Sequence, residues 1–227
     1  MNFTIYPEIN VFYLNYAANM IILYINEPER SLDMDSYTFF PLAFRMKYIN
    51  RWGLMRNVTS ENLLDHSAEC SMLAHSLAVI GNTYFGKSYD EGRIAVMALY
   101  HDISEIYTGD LPTPVKYHSS DISSSYKEIE HGALQKLLLK LPEELRSSYE
   151  SLLEHDVSTD EGRLVKAADK LCALIKCMDE TKNGNAEFRE ALSSTKRSVE
   201  KLAESCEELD YFIKNILPEF EKSLDEM

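Results

Sequence analysis

Glycine and proline are scarce in this 227-residue chain, with 8 and 7 copies. That scarcity argues against a turn-rich β sandwich, and no alternating strand pattern or internal repeat offsets it. Cysteine is limited to Cys70, Cys172, Cys177 and Cys206, with no CxxC pair. This excludes a disulfide framework and fits a reducing, cytoplasmic setting. Positive charge is short: 23 Lys and Arg face 37 Asp and Glu, for a net charge of −14. Such a surface disfavours nucleic acid polymers and anionic membranes as partners. Long apolar runs are also missing. VFYLNYAANMIILYI, residues 11–25, is too short to span a bilayer comfortably. No Lys or Arg precedes Arg30, so the basic start of a signal peptide is absent as well.

What is present reads as one all-α domain. Residues 1–33 are expected to be an appendage, with Met34 a candidate natural start, and residues 34–227 the domain proper. Apolar periodicity predicts a first core helix over Tyr37–Trp52, then a turn with Thr59 or Ser60 as N-cap. Longer helices follow over Glu61–Tyr84 and Asp90–Tyr107, the second stopped by Thr108-Gly109. LPTPVKY reads as a stiff loop, because Pro112 and Pro114 restrict the backbone. Further helices are expected over Ser120–Lys140, Pro142–His155, Asp160–Lys182, 186–206 and 207–224.

Several of these helices carry ionisable residues on their oily faces. Ile94, Ala98, His101, Asp102 and Glu105 follow helical spacing, so three polar side chains continue an apolar stripe. Leu63, His66, Cys70, Leu73, Ala74 and Leu77 share another face, which points His66 into the core. His75 falls about half a turn away from His66 and reads as structural. Asp169 interrupts the stripe Val165, Ala168, Cys172 and Ile175. An unpaired buried charge costs several kcal/mol. Two imidazoles and two carboxylates from three helices suit a divalent transition metal better than four separately satisfied polar residues. Glu105 sits one turn beyond His101, where a carboxylate could handle a proton or support a ligating histidine. From Arg45 to Arg56, RMKYINRWGLMR holds four positive charges and no negative one. It could draw in a small anion such as phosphate, although charge runs are more often solvated faces.

The pattern H…HD…D resembles the HD-domain superfamily of metal-dependent phosphohydrolases. INRWGLMRNV, DHSAECSMLAHSLA, ALYHDISEIYTGDLPTPVKY and LVKAADKLCALIKC are similar to the bacterial 5′-deoxynucleotidases of the YfbR type over roughly residues 34–224. The resemblance implies an HD-domain helical bundle that hydrolyses deoxyribonucleoside 5′-monophosphates to deoxynucleosides and phosphate with metal-activated water. Carried over residue by residue, it makes His66, His101, Asp102 and Asp169 the metal ligands, with Asp102 and Asp169 also facing substrate. Glu105 matches an acidic residue needed for catalysis. Arg51 matches the arginine that orients phosphate, and Trp52 its neighbour at the sugar. Asp110, Leu111, Pro112 and Thr113 match the loop that holds the nucleotide. The implied cofactor is Co2+ or Mn2+, with Zn2+, Ni2+, Fe2+ or Cu2+ as further options, and the implied assembly is a homodimer. Asp65 departs from the family pattern, which often has Glu before the histidine; little effect is expected. Two rival readings stand beside this one: an HD hydrolase for another substrate, such as a nucleoside triphosphate or cyclic nucleotide, and a non-catalytic interaction module.

Overall fold

The computed structural model describes residues 37–116, 118–154 and 156–227, with backbone only at 113 and 114. The expected appendage at 1–33 lies outside the described residues. Among the described residues there is no strand, only an isolated antiparallel bridge between Asn50 and Asn62. The helices are α1 (Phe39–Ala43), α2 (Leu63–Tyr84), α3 (Glu91–Tyr100), α4 (Glu105–Thr108), α5 (Thr113–Lys116), α6 (Ser120–Leu138), α7 (Glu143–Leu153), α8 (Asp160–Lys182), α9 (Arg189–Ala203) and α10 (Glu207–Asn215).

Helix α2 begins where Asn62 accepts hydrogen bonds from the backbone N–H groups of Leu64 and Asp65, at 2.9 and 3.0 Å. Asn62, and not Thr59 or Ser60, is therefore the N-cap. An asparagine directly before the helix satisfies two donors that would otherwise have no partner. The buried face of α2 carries Leu63, His66, Cys70, Leu73, Ala74 and Leu77, as the periodicity predicts. His75 is exposed on the other side. Helices α2, α3 and α8 pack on one another, and α9 and α10 close over them. A second apolar cluster joins Phe39, Met46, Leu63, Ile103, Leu137, Leu141 and Leu153. Burial of such side chains contributes about 1.5–3 kcal/mol each.

Four expected elements come out differently; the last of them, 207–224, ends as an α-helix at Asn215 and gives way to 3-10 turns over Leu217–Glu221 and Leu224–Glu226. The first helix is not continuous to Trp52: α1 ends at Ala43 and a 3-10 segment runs over Phe44–Tyr48. From Ile49 the chain turns extended and pairs with the start of α2, with Leu63 donating to the Ile49 carbonyl at 2.8 Å. The Asp90–Tyr107 helix also breaks. After Tyr100 the bonds become i→i+3, from Ile103 to Tyr100 and from Glu105 to Asp102, both at 3.0 Å. At about three residues per turn, side chains three apart eclipse one another. This keeps Glu105 over Asp102 although the α-helix has ended. The PTPVK segment is a single helical turn, not a loop; Val115 and Lys116 donate back to the Pro112 carbonyl.

Glu180 ties the turn before α2 to helix α8. Its carboxylate accepts from the backbone N–H groups of Val58 at 2.8 Å and Thr59 at 3.1 Å, from Asn185 Nδ2 at 2.7 Å, and from Lys176. Burial opposes its charge, but these donors outweigh burial and bring its pKa down to about 2. A carboxyl with a depressed pKa stabilises the fold above its unfolded value, about 4.3, and loses that contribution as pH falls toward 2. Glu180→Ala is expected to cost about 3 kcal/mol at neutral pH, because Lys176 and three neutral donors lose one buried, charged acceptor. The difference from wild type should shrink below about pH 4. Urea unfolding across pH measures it; a loss below about 0.5 kcal/mol at neutral pH would show that the clasp contributes little.

Candidate functional site

Three helices bring the ionisable intruders together. His66 lies one turn into α2 and is fully buried. His101 caps the C-terminus of α3, and Asp169 sits midway along α8. Candidate ligand atoms of His66, His101 and Asp169 lie within 4.8 Å of one another. Asp102 stands outside that group of three but reaches it: its Oδ2 is 3.1 Å from His101 Nε2 and 3.6 Å from His66 Nε2. Asp169 Oδ1 is 3.4 Å from His66 Nε2 and 4.0 Å from His101 Nε2.

These residues fit a metal on two observations. Both Nε2 atoms are buried and make no hydrogen bond of proper geometry, despite the nearby carboxylates. Such atoms cost about 1–3 kcal/mol each when left without a partner. His101 Nδ1 also donates to the Ala98 carbonyl at 2.7 Å. That bond fixes the ring and leaves the Nε2 lone pair facing the cluster, the usual support of a ligating histidine. The donor set is nitrogen and carboxylate oxygen, without thiolate. Electrostatics agree. Burial works against a charged His66, but acceptors on Asp169, Cys172 and Glu61 outweigh it and raise its proton affinity well above the ordinary value. His101 moves the same way, chiefly because Asp102 overcomes the burial penalty. Two half-buried carboxylates thus demand positive charge in this spot, and a divalent ion would meet the demand better than protons.

Arg51 and Trp52 form the neighbouring wall. The Arg51 guanidinium touches Glu61 Oε1 through Nε at 3.0 Å and Asp102 Oδ2 through Nη1 at 3.3 Å. Burial disfavours its charge, yet Asp102, Asp169, Glu61 and Asp110 more than compensate. Of the basic stretch, Arg51 turns inward, while Arg45, Lys47 and Arg56 are exposed. The solvated-face reading therefore holds for Arg45, Lys47 and Arg56, while Arg51 faces the cluster. Trp52 is the sole described non-glycine residue with positive φ, +57°. This left-handed conformation is held by Asp110 Oδ2, which accepts from the Trp52 backbone N–H at 3.2 Å. The indole meets Phe188 with ring centroids 5.3 Å apart, and its Nε1–H donates to Glu61 Oε2 at 3.2 Å.

Glu105 is buried, and its Oε2 has no hydrogen-bond partner. Burial, with Asp102 and Asp110 nearby, pushes its pKa well above the ordinary carboxylate value, against the pull of Arg51 and Lys116. Asp110, Leu111 and Pro112 are half-buried beside it, and Thr113 opens α5. Arg51, Trp52, His66, His101, Asp102, Glu105, Asp110 and Asp169 are thus linked in one region, and Leu111, Pro112 and Thr113 follow Asp110 directly in the chain. Sequence reasoning missed Glu61, Phe188 and Lys116. Lys116 pairs with Glu130 at 2.8 Å, lies over the Tyr126 ring and adds positive charge near Glu105. Glu61 looked like an ordinary first-turn residue, and no local pattern singled it out.

A helical bundle with a His/Asp cluster shared by three helices and an arginine at its edge has the architecture of HD-domain phosphohydrolases. A crystal structure of an HD-domain phosphohydrolase from Listeria innocua superposes with a TM-score of 0.73 at 24% identity, covering 84% of this chain and 92% of that one. A protein from Pyrococcus horikoshii superposes with a TM-score of 0.60 at 22% identity, covering 81% and 96%. At these identities the likeness establishes the fold. Residues 38–220 match the family described as 5′-deoxynucleotidase YfbR-like. The chain is 48% identical over 195 residues to a 5′-deoxynucleotidase of Enterobacter sp. strain 638, covering 86% of this chain and 97% of that one. It is 49% identical over 190 residues to 5′-deoxynucleotidase YfbR of Escherichia coli K12, covering 83% and 94%. The chain belongs to the YfbR-like 5′-deoxynucleotidase family. Among the described residues no helix is long and apolar enough to cross a membrane.

Proposed function

We propose that the protein is a metal-dependent 5′-deoxynucleotidase, releasing phosphate from deoxyribonucleoside 5′-monophosphates. The observation that carries this reading is the placement of an arginine, Arg51, against a His/Asp cluster whose buried imidazole Nε2 atoms lack hydrogen-bond partners. His66, His101, Asp102 and Asp169 would hold the metal. When bound, a divalent ion polarises a phosphoryl oxygen and lowers the pKa of water. Arg51 binds phosphate oxygens with the planar fork of its guanidinium. Its contacts with Glu61 and Asp102 aim it at the cluster. Glu105 handles the proton. A carboxyl whose pKa burial and neighbours have raised is suited to protonating the departing 5′ oxygen. Trp52 walls the 2′ side of the sugar, and Asp110, Leu111, Pro112 and Thr113 hold the nucleoside.

Nitrogen and carboxylate donors suit a divalent transition metal, and the family resemblance favours Co2+ or Mn2+ among them. The four cysteines are buried and free, in keeping with a cytoplasmic setting. A homodimer is carried by the family resemblance, and light scattering after gel filtration measures it; a monomeric mass would remove it. Phosphate release from dAMP, AMP, dATP and a cyclic nucleotide, after metal stripping and add-back of each metal, tests the main reading. Turnover should depend on added metal and favour dAMP over AMP by about 10- to 100-fold, the range available to a steric wall. A preference for AMP or dATP would overturn it.

A further inference from the structure

One carboxylate connects the arginine, the tryptophan and the His/Asp cluster. Glu61 Oε1 lies 3.0 Å from Arg51 Nε, its Oε2 accepts from Trp52 Nε1 at 3.2 Å, and Oε1 is 3.4 Å from His66 Nδ1. Adjacent side chains on an extended segment point to opposite sides. The left-handed turn at Trp52 removes that divergence and lets Arg51 and Trp52 meet the same carboxylate. Such a backbone is strained and persists only where surrounding contacts impose it. The backbone of Glu61 already secures the local fold, since its carbonyl accepts from the Arg51 N–H at 3.0 Å and its neighbour Asn62 pairs with Asn50. The side chain is left to orient two groups beside the cluster, with only 11% of it exposed.

We propose that Glu61 is a positioning residue that sets the sugar preference by locking the Trp52 indole beside Arg51. The proposal rests on the deoxynucleotidase reading. A ring that excludes a hydroxyl by contact must not swing aside. The indole has one N–H donor, and Glu61 is its acceptor in this structure. Without it the ring keeps, among the described residues, its ring contact with Phe188, which has no comparable direction. Arg51 would lose its Nε anchor, while its Nη1 contact with Asp102 remains.

E61Q tests this in the full chain, assayed with Co2+ or Mn2+ at saturation. The amide keeps the size of the carboxylate but can accept from only one of the two donors. The ratio of kcat/KM for dAMP over AMP should fall about tenfold, mainly through a lower KM for AMP. The protein has a single tryptophan, so its fluorescence reports on Trp52 alone. Acrylamide quenching should become stronger, while metal content per chain stays at the wild-type value. If E61Q fails to fold, E61D replaces it, since a carboxylate shorter by one methylene cannot hold both donors. An unchanged dAMP/AMP ratio with unchanged quenching overturns the proposal, as does metal loss in step with activity. If wild type hydrolyses neither nucleotide, the deoxynucleotidase reading fails, and with it the proposed sugar preference; quenching then still decides whether Glu61 holds Trp52.

Discussion

Glu105→Ala is expected to lower kcat by about 10²–10⁴-fold while metal content stays near the wild-type level. Glu105 lies outside the ligand cluster, and its Oε2 is buried without a partner. A group kept in that condition is costly to the fold, and the cost points to chemistry rather than packing. Glu105→Gln sharpens the test because it preserves volume. It should be as inactive as the alanine variant and, metal-stripped, more stable than wild type. The sign follows from proton affinity. The folded state binds the Glu105 proton more tightly than the unfolded state does, so wild type loses stability as pH rises past about 4.3 through the folded value. The glutamine variant escapes that loss, so its advantage should be present at neutral pH and vanish below about pH 4. Steady-state kinetics, metal analysis and thermal melts across pH supply the readouts. Normal turnover would remove Glu105 from catalysis, and metal loss would make it part of the ligand support instead.

Asp169→Ala is expected to abolish activity through the opposite route, by losing the metal. Asp169 Oδ1 faces both Nε2 atoms of the cluster, from a helix otherwise separate from His66 and His101. Removing it leaves ligands from two helices in place of three. Metal affinity should fall by more than about 100-fold, beyond what loss of a supporting hydrogen bond causes. Metal analysis after dialysis reads this directly. Thermal melting gives a second measure: saturating metal should stabilise wild type by about 2.7 kcal/mol at a hundredfold excess over Kd, and the variant hardly at all. Unchanged metal content would take Asp169 out of the ligand set. The two variants separate chemistry from metal retention, because each should lose activity while only one loses metal.

The polar intruders were legible because burial and periodicity are local properties. A histidine among Leu63, Cys70, Leu73 and Leu77 on one face of α2 must be buried once that helix packs. The same reasoning reached Asp169 on α8. It reached Glu105 with the wrong geometry: the α-helix stops at Tyr100, and the tighter turn that follows is what keeps Glu105 over Asp102. The N-cap was misplaced by two or three residues because Thr59, Ser60 and Asn62 all have capping side chains, and only the pairing of Ile49 with Leu63 selects among them.

Glu61 was illegible for a different reason. Its partners lie 9 and 10 residues away, and one of them requires a tryptophan in a left-handed conformation. Local propensity disfavours that conformation for a bulky residue, so no sequence rule would propose it. Glu180 is similar, with ties to Val58 and Thr59 that span more than 120 residues.

By itself, the sequence determined that this is a helical protein, which helix faces are buried, and which ionisable residues those faces carry inward. It could do so because helical periodicity and the cost of burying charge act within a few turns of one chain segment. The tertiary structure alone decided that the three helices bring those residues to one point. It also decided that Arg51 and Trp52 turn toward that point together and that Glu61 holds them there. Those outcomes depend on distances between segments far apart in the chain, which only the packing of α2, α3 and α8 specifies.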